Sequence, residues 1–159
     1  MGSEEWGVGS EEWGVGTVAV TISSYRDLRV WQAGLALVRE IYAATATFPR
    51  SETFGLVSQM RRAAVSVPSN IAEGHTRGYT REYLRHIVIA HGSLAELLTQ
   101  IEIAGELGFL DATNARDLSI SADSLSRQIN ALRTALADRL PHSPFPTPHS
   151  PLPQCYVRS

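Results

Sequence analysis

The stretch Arg61-Arg62-Ala63-Ala64-Val65-Ser66-Val67-Pro68-Ser69-Asn70-Ile71-Ala72-Glu73-Gly74 decides the fold of this chain. With the residues just before it, it repeats apolar side chains at spacings of three and four, and this pattern predicts one buried face of an α-helix. The residues of that face are Val57, Met60, Ala64, Val67 and Ile71. A neighbouring face carries small or polar residues that would let another helix approach closely and hydrogen-bond across the contact: Gln59, Ala63, Ser66, Asn70 and Glu73.

Two residues in this helix break the usual rules of helix sequence. Pro68 has no N–H for the carbonyl of Ala64, so we expect a bend there, with Ser66, Ser69 or Asn70 bonding the freed backbone groups. Gly74 is predicted to end the helix in the left-handed conformation.

Three further segments show the same helical spacing and short links, so four helices are predicted, at about residues 27–48, 52–72, 81–107 and 112–140. Candidate N-caps are Ser24, Ser51, Thr80 and Asp111. The predicted inward-facing residues are Leu28, Trp31, Leu35, Val38 and Tyr42 in helix one, Leu84, Ile87, His91, Leu94, Leu98 and Ile101 in helix three, and Leu118, Ala122, Leu125, Ile129, Leu132 and Leu136 in helix four.

These segments predict an all-α fold, an antiparallel up-down four-helix bundle spanning residues 25–140. The flanking tails, residues 1–24 with a tandem Gly-Ser-Glu-Glu-Trp-Gly-Val repeat and residues 141–159 with many prolines, are predicted to be disordered. Apolar residues outside the predicted seams would be exposed in a lone bundle, so they predict an interface between copies: Val30, Leu37, Ile41, Val88, Leu97 and Ile103.

Composition limits the classes of protein that this chain can belong to. The formal net charge of the 159 residues is −2, but residues 25–140 carry 13 arginines against 12 acids, and lysine is absent. The N-terminus has no secretory signal and no apolar run approaches a membrane span, so we expect no membrane partner. The single cysteine, Cys155, allows no internal disulfide, and a cytoplasmic location is expected.

The quoted stretch closely resembles the signature of the four-helix-bundle proteins encoded in intervening sequences of 23S ribosomal RNA genes. Residues 25–32, Phe48-Pro49, Leu56, Glu82 and residues 89–97 also match, so the resemblance covers about residues 24–138. The positions that we call the signature residues are Gln59, Ser66, Pro68, Asn70, Glu73, Gly74, Gly92, Ser93 and Glu96. The resemblance implies a homopentamer and no established activity. A remote cousin is the accessory protein of diversity-generating retroelements, a pentamer that binds a reverse transcriptase and nucleic acid.

No set of residues favours catalysis. The sequence has no Glu-x-x-His pair for a di-iron site, no Gly-x-Ser-x-Gly nucleophile elbow and no lysine for a phosphate-binding loop. Glu82 and His86 are predicted to form an exposed pair, and His91 to be a hydrogen-bonded core or interface histidine. Asn70, Glu73 and Glu96 could converge, either to fix helix register or, less simply, as a pair of catalytic carboxylates. We therefore expect no enzyme and no cofactor.

Nucleic-acid binding is the alternative to a purely structural role. Residues 50–86 carry a local excess of arginine, with tyrosines interleaved that could stack on bases. The candidate binding residues are Arg61, Arg62, Arg77, Arg81, Arg85, Tyr79 and Tyr83. Pairing of these arginines with acids of other helices or subunits is the competing interpretation, and a pI near 6.2 favours it. The expected role is a non-catalytic homo-oligomeric scaffold that associates with RNA; the alternatives are an accessory subunit of a reverse transcriptase and a metal-dependent enzyme.

Overall fold

A computed structural model describes residues 24–140, and it confirms the all-α four-helix fold within that range. Helix α1 spans Arg29–Thr45, α2 spans Leu56–Thr76, α3 spans Thr80–Glu106 and α4 spans Ala112–Asp138. Short 3₁₀ helices at Tyr25–Asp27 and Arg50–Glu52 precede α1 and α2. The predictions made for the two tails, and for Cys155, lie outside the described residues.

The helices close into a ring of contacts in which α2 packs on α1 and α3, α3 on α4, and α4 on α1. The largest interface is between α2 and α3. The predicted apolar face of α2 is confirmed, since Val57, Met60, Ala64, Val67 and Ile71 are all buried. Five of the six predicted residues of α4 are also buried, and Leu132 packs partly buried against them.

The predicted inward face of α1 is wrong. Leu37, Ile41 and Val30, which were expected at an interface between copies, are instead buried inside the bundle, whereas Tyr42 is 44% exposed. Gly34 on the same face lies against Pro68 of α2, where an added Cβ would come within 3.3 Å of the proline ring. A glycine on that face lets the two helices approach closely, so the face that includes it turns inward, and Leu28, Trp31 and Val38 are left partly buried at its edge.

In α3 the predicted core residues Ile87, Leu94 and Ile101 are buried, as is Leu97, which was expected to be exposed. Val88 and Ile103, expected outside the seam, are 51% and 43% exposed. Among the described residues, α3 alone is long and apolar enough to cross a membrane by length and composition, contrary to the expectation from sequence. It is the helix packed between α2 and α4, and core helices pass the same test.

The helix ends follow local sequence at some positions and depart from it at others. Asp111 caps α4 as predicted, accepting from the backbone N–H groups of Thr113 and Asn114 at 2.9 Å. Ser24 caps the first 3₁₀ helix rather than α1. Ser51 and Thr80 are not caps, because α2 starts only after Gly55 and Thr80 is already the first residue of α3.

Candidate functional site

Polar side chains cross the interface between α2 and α3 in its central turns. Ser66 Oγ lies 2.8 Å from Ser93 Oγ, and Asn70 Nδ2 donates to the Ser66 carbonyl at 2.9 Å and to Ser66 Oγ at 3.1 Å. Asn70 Oδ1 lies 3.0 Å from Nδ1 of His86 on α3. Because the amide nitrogen of Asn70 donates, its oxygen must accept, and the bonding pattern therefore assigns the proton of neutral His86 to Nδ1.

The burial of His86 corrects the prediction of an exposed Glu82–His86 pair. His86 is only 9% exposed, and its Nε2 lies 3.8 Å from Oε1 of Glu73. Glu82 instead lies 3.9 Å from Arg85. Two signature residues, Asn70 and Glu73, thus flank one histidine, one at each ring nitrogen.

Glu73 also faces solvent, where Arg77 donates to its Oε1 at 2.6 Å. That hydrogen bond lowers the pKa of Glu73. The same carboxylate raises the pKa of Arg77. Arg77, one of the candidate nucleic-acid contacts, is therefore already paired with a residue of α2.

Gly74 marks the closest approach of α2 and α3, and it is not the helix terminator predicted from sequence. The helix continues to Thr76, and the turn to positive φ comes at Gly78, with φ 74°. A Cβ at Gly74 would lie 2.7 Å from His86 Cβ and 2.8 Å from Tyr83 Cδ2. Gly74 is conformationally ordinary, and the absence of its side chain is what lets α3 pack there.

Tyr83 is turned into this contact. Its ring meets His75 edge-on at 5.7 Å between centroids, and its buried hydroxyl has no hydrogen-bond partner. Burial raises the pKa of Tyr83 to about 12. Its phenol is therefore not placed to stack on a base, in contrast to Tyr79, which is 74% exposed.

Two other polar residues of α3, Glu96 and His91, have partners away from His86. Glu96 accepts from Nε2 of the buried Gln100 at 3.0 Å, while Asn70 and Glu73 meet at His86, so the structure does not join the three into one cluster. His91 is hydrogen-bonded as predicted, with its Nε2 3.2 Å from Ser126 Oγ on α4. Among residues 24–140, no group of three His, Cys, Asp or Glu side chains could hold a metal ion.

A groove of about 960 Å³ lies beside the serine pair, between the start of α2 and its neighbours. We call it the α2 groove; its main lining residues are Tyr42, Phe54, Val65, Arg61, Arg62, Gln59, Ser66, Ser93 and Glu96. Phe54 is 95% exposed. Arg61 is held in place, because its Nε donates to Thr45 Oγ1 at 2.9 Å and its guanidinium lies 4.5 Å from the ring centroid of Tyr42.

The candidate arginines fall into two separate groups. Arg61 and Arg62 border the α2 groove, whereas Arg77, Arg81 and Arg85 surround the turn from α2 to α3. At 1.5 Å per residue the two groups are about 20 Å apart along α2. Of these five candidates, Arg62 and Arg81 alone have neither an acidic partner nor a hydrogen-bond acceptor within residues 24–140.

Comparison with known proteins assigns the fold to a family. The sequence model of the 23S rRNA-intervening sequence proteins matches residues 26–131, a range that holds α1 to α3 and most of α4. The chain belongs to this family. A crystal structure of a protein with unknown function from the S23 ribosomal protein family of Bacteroides thetaiotaomicron is similar to it, with a TM-score of 0.60 and 14% identity over 65% of this chain and 97% of that one. At that identity the likeness shows a shared fold alone. No protein of curated function matches.

In this 23S rRNA-intervening sequence protein, the signature residues have mostly structural partners. Ser66, Ser93, Asn70 and Gly74 build the α2–α3 contact. The aromatic side chains of the α2 groove, Tyr42 and Phe54, were not predicted as site residues, because an apolar residue at helical spacing is read first as core. Phe54 could have been found, since it lies in the first turn of predicted helix two but outside the apolar face of that helix.

Proposed function

We propose that this chain is a non-catalytic, self-assembling helical scaffold. The observation that supports the proposal is the apolar surface of α3, where Val88, Ile89 and Ile103 are each more than two-fifths exposed. Exposed apolar side chains grouped on one element are typical of interaction sites. Covering them would stabilise an assembly by roughly 25 cal/mol for each Å² of apolar surface removed from water.

The use made of the polar residues supports a structural role rather than catalysis. The buried or half-buried histidines are tied to neighbouring helices, His86 to Asn70 and His91 to Ser126. The serine pair joins α2 to α3. These side chains act as helix-to-helix hydrogen bonds that fix the register of the bundle.

The molar mass of the purified full-length chain tests self-assembly. Multi-angle light scattering at micromolar concentration should give a multiple of 17.4 kDa, five-fold if the assembly implied by the family resemblance is adopted. A mass of one chain across the micromolar range would overturn the proposal.

A second role, RNA binding at the α2 groove, is favoured by the pairing of Arg61 and Arg62 with two exposed aromatic rings. Arginine guanidinium groups pair with phosphates in bidentate geometry, and aromatic rings stack on unpaired bases. The groove also carries one carboxylate, Glu96. Two positive charges against one negative charge, beside Phe54 and Tyr42, suit a single-stranded loop better than a duplex.

Fluorescence anisotropy with a labelled RNA hairpin, repeated over a range of salt concentrations, tests RNA binding. The Arg61→Gln/Arg62→Gln variant should bind more weakly, with a smaller dependence of affinity on salt, because each lost phosphate contact removes about one unit or less from the logarithmic slope. Phe54→Ala should weaken binding without changing that slope. The matched control is Arg133→Gln, an exposed arginine on α4. Equal affinity of all variants, or no binding by the wild type, would refute this role.

A further inference from the structure

One face of α3 is exposed along the whole helix and has a regular composition. Its residues recur at alternating spacings of four and three, the heptad spacing by which two helices pair along a common seam. All of them are exposed: Arg81, Arg85, Val88, Gly92, Ala95, Thr99, Glu102 and Glu106. We call this set the α3 face.

The charges on the α3 face are arranged symmetrically about its centre. Both arginines lie in the first turns and both glutamates in the last, while the four residues between them are uncharged. The centre of the α3 face lies midway between Gly92 and Ala95.

Counting outward from that centre, each residue has a counterpart at the same distance on the other side. Val88 corresponds to Thr99 and Arg85 to Glu102. Arg81 corresponds to Glu106 in the same way.

We infer that the α3 face binds the α3 face of a second copy of this chain, with the two helices antiparallel and related by a two-fold axis at this centre. In that arrangement Arg85 of each copy lies opposite Glu102 of the other, and Arg81 opposite Glu106. A two-fold contact is self-complementary by definition, and the order of charges along this helix meets that condition. A parallel pairing would instead set arginine against arginine and glutamate against glutamate.

The centre of the α3 face is shaped for a close approach. A Cβ added at Gly92 would meet nothing within 4 Å, so packing inside the bundle does not require a glycine there. A glycine in the middle of a helix costs about 0.5–1 kcal/mol relative to alanine. Opposite a second helix, Gly92 and Ala95 allow the backbones to come near, and Val88 supplies apolar contact; Ile89 and Ile103 flank the α3 face along a line that also carries the exposed Glu96.

This inference rests on the proposed self-assembly and makes it specific. The contact alone joins two copies, and in a five-fold ring built through another surface it would join two rings. It also engages Arg81 and Arg85 with glutamates of the other copy. RNA binding by the assembled protein would then depend on the α2 groove.

A charge-reversal experiment on the full-length chain tests the pairing. One variant carries Arg81→Glu and Arg85→Glu, and the other carries Glu102→Arg and Glu106→Arg. Each alone places like charges opposite each other in the pair, so each should show at least a tenfold weaker self-association by light scattering and sedimentation. Mixed in equal amounts, the two variants present opposite charges at every position, and the mixture should recover the wild-type mass.

The outcomes separate this pairing from self-assembly in general. If both variants keep the wild-type mass, or if the mixture fails to recover it, the two-fold α3 pairing is wrong while self-assembly stands. If the wild type has the mass of one chain, both proposals fail. The control is Arg133→Glu with Asp123→Arg on the exposed surface of α4, which should leave the mass unchanged, and circular dichroism should show equal helix content in all variants.

Discussion

Replacement of Gly74 by alanine measures how closely α2 and α3 pack. The added Cβ would lie 2.7 Å from His86 Cβ, 2.8 Å from Tyr83 Cδ2 and 3.3 Å from Tyr83 Cα. His86 Cβ and Tyr83 Cα move only with the backbone of α3, so rotation of the tyrosine ring cannot by itself relieve the overlap and α3 must shift. Overpacking of this kind costs about 1–3 kcal/mol. Alanine recovers about 0.5–1 kcal/mol of helix propensity, so we expect a net destabilisation of roughly 0.5–2 kcal/mol.

The matched control is Gly92→Ala in the same bundle. It gains the same helix propensity and meets nothing within 4 Å, so it should stabilise the chain by about 0.5–1 kcal/mol. Both changes are made in the Arg81→Glu/Arg85→Glu background, which weakens the proposed α3 pairing in which Gly92 takes part, and all variants are compared at the same protein concentration. Urea unfolding followed by far-ultraviolet circular dichroism gives each free energy of unfolding. If Gly74→Ala is as stable as its parent, the close approach of α2 and α3 is refuted.

Three further predictions concern hydrogen bonds and ionisation. Asn70→Ala and His86→Ala should each lower the free energy of unfolding by about 1–3 kcal/mol, because each change leaves a buried partner without its hydrogen bond. The double variant should lose less than the sum of the two single losses. If the two losses add, the 3.0 Å contact between Asn70 and His86 contributes nothing to stability. Burial raises the pKa of Tyr83 from 10.0 to about 12, so it contributes stability below pH 10 that is lost as pH rises towards 12. The difference between the absorbance titrations of the wild type and of Tyr83→Phe isolates the ionisation of Tyr83, and this difference should develop around pH 12 rather than pH 10. A difference that develops around pH 10 would contradict the burial of Tyr83. Hydrogen bonds lower the pKa of Asp111, the largest contribution coming from the backbone N–H of Asn114, so the contribution of its carboxylate is present above pH 3.8 and is lost as pH falls through the lower folded value. Asp111→Ala should therefore lower the urea midpoint relative to the parent at pH 7, and this difference should shrink as the pH falls below 3.8. A difference between variant and parent that is the same at acid pH and at pH 7 would refute the charged cap.

The residues of α2 and α4 show how much the sequence determines by itself. Each of these helices has one apolar face at helical spacing, with polar residues opposite, and the structure buries that face. The cap at Asp111 is equally local, since it depends on a side chain and the two N–H groups that follow it. Number, length and order of the helices follow from the same short-range rules, and the family signature is readable as a run of residues.

Only the tertiary structure decided which helix face contacts a neighbouring helix where the sequence allows more than one. Helix α1 has two apolar faces at the same spacing, and the one with Gly34 turns inward because Pro68 of α2 lies against it. Gly74 satisfies the local rule for a helix end, yet it lies inside α2, where α3 comes too near for a side chain. Spacing alone pairs His86 with Glu82, but its hydrogen-bond partner is Asn70, sixteen residues away in sequence. Periodicity reports that a face is apolar, small or polar; only the position of the opposing helix determines what that face contacts.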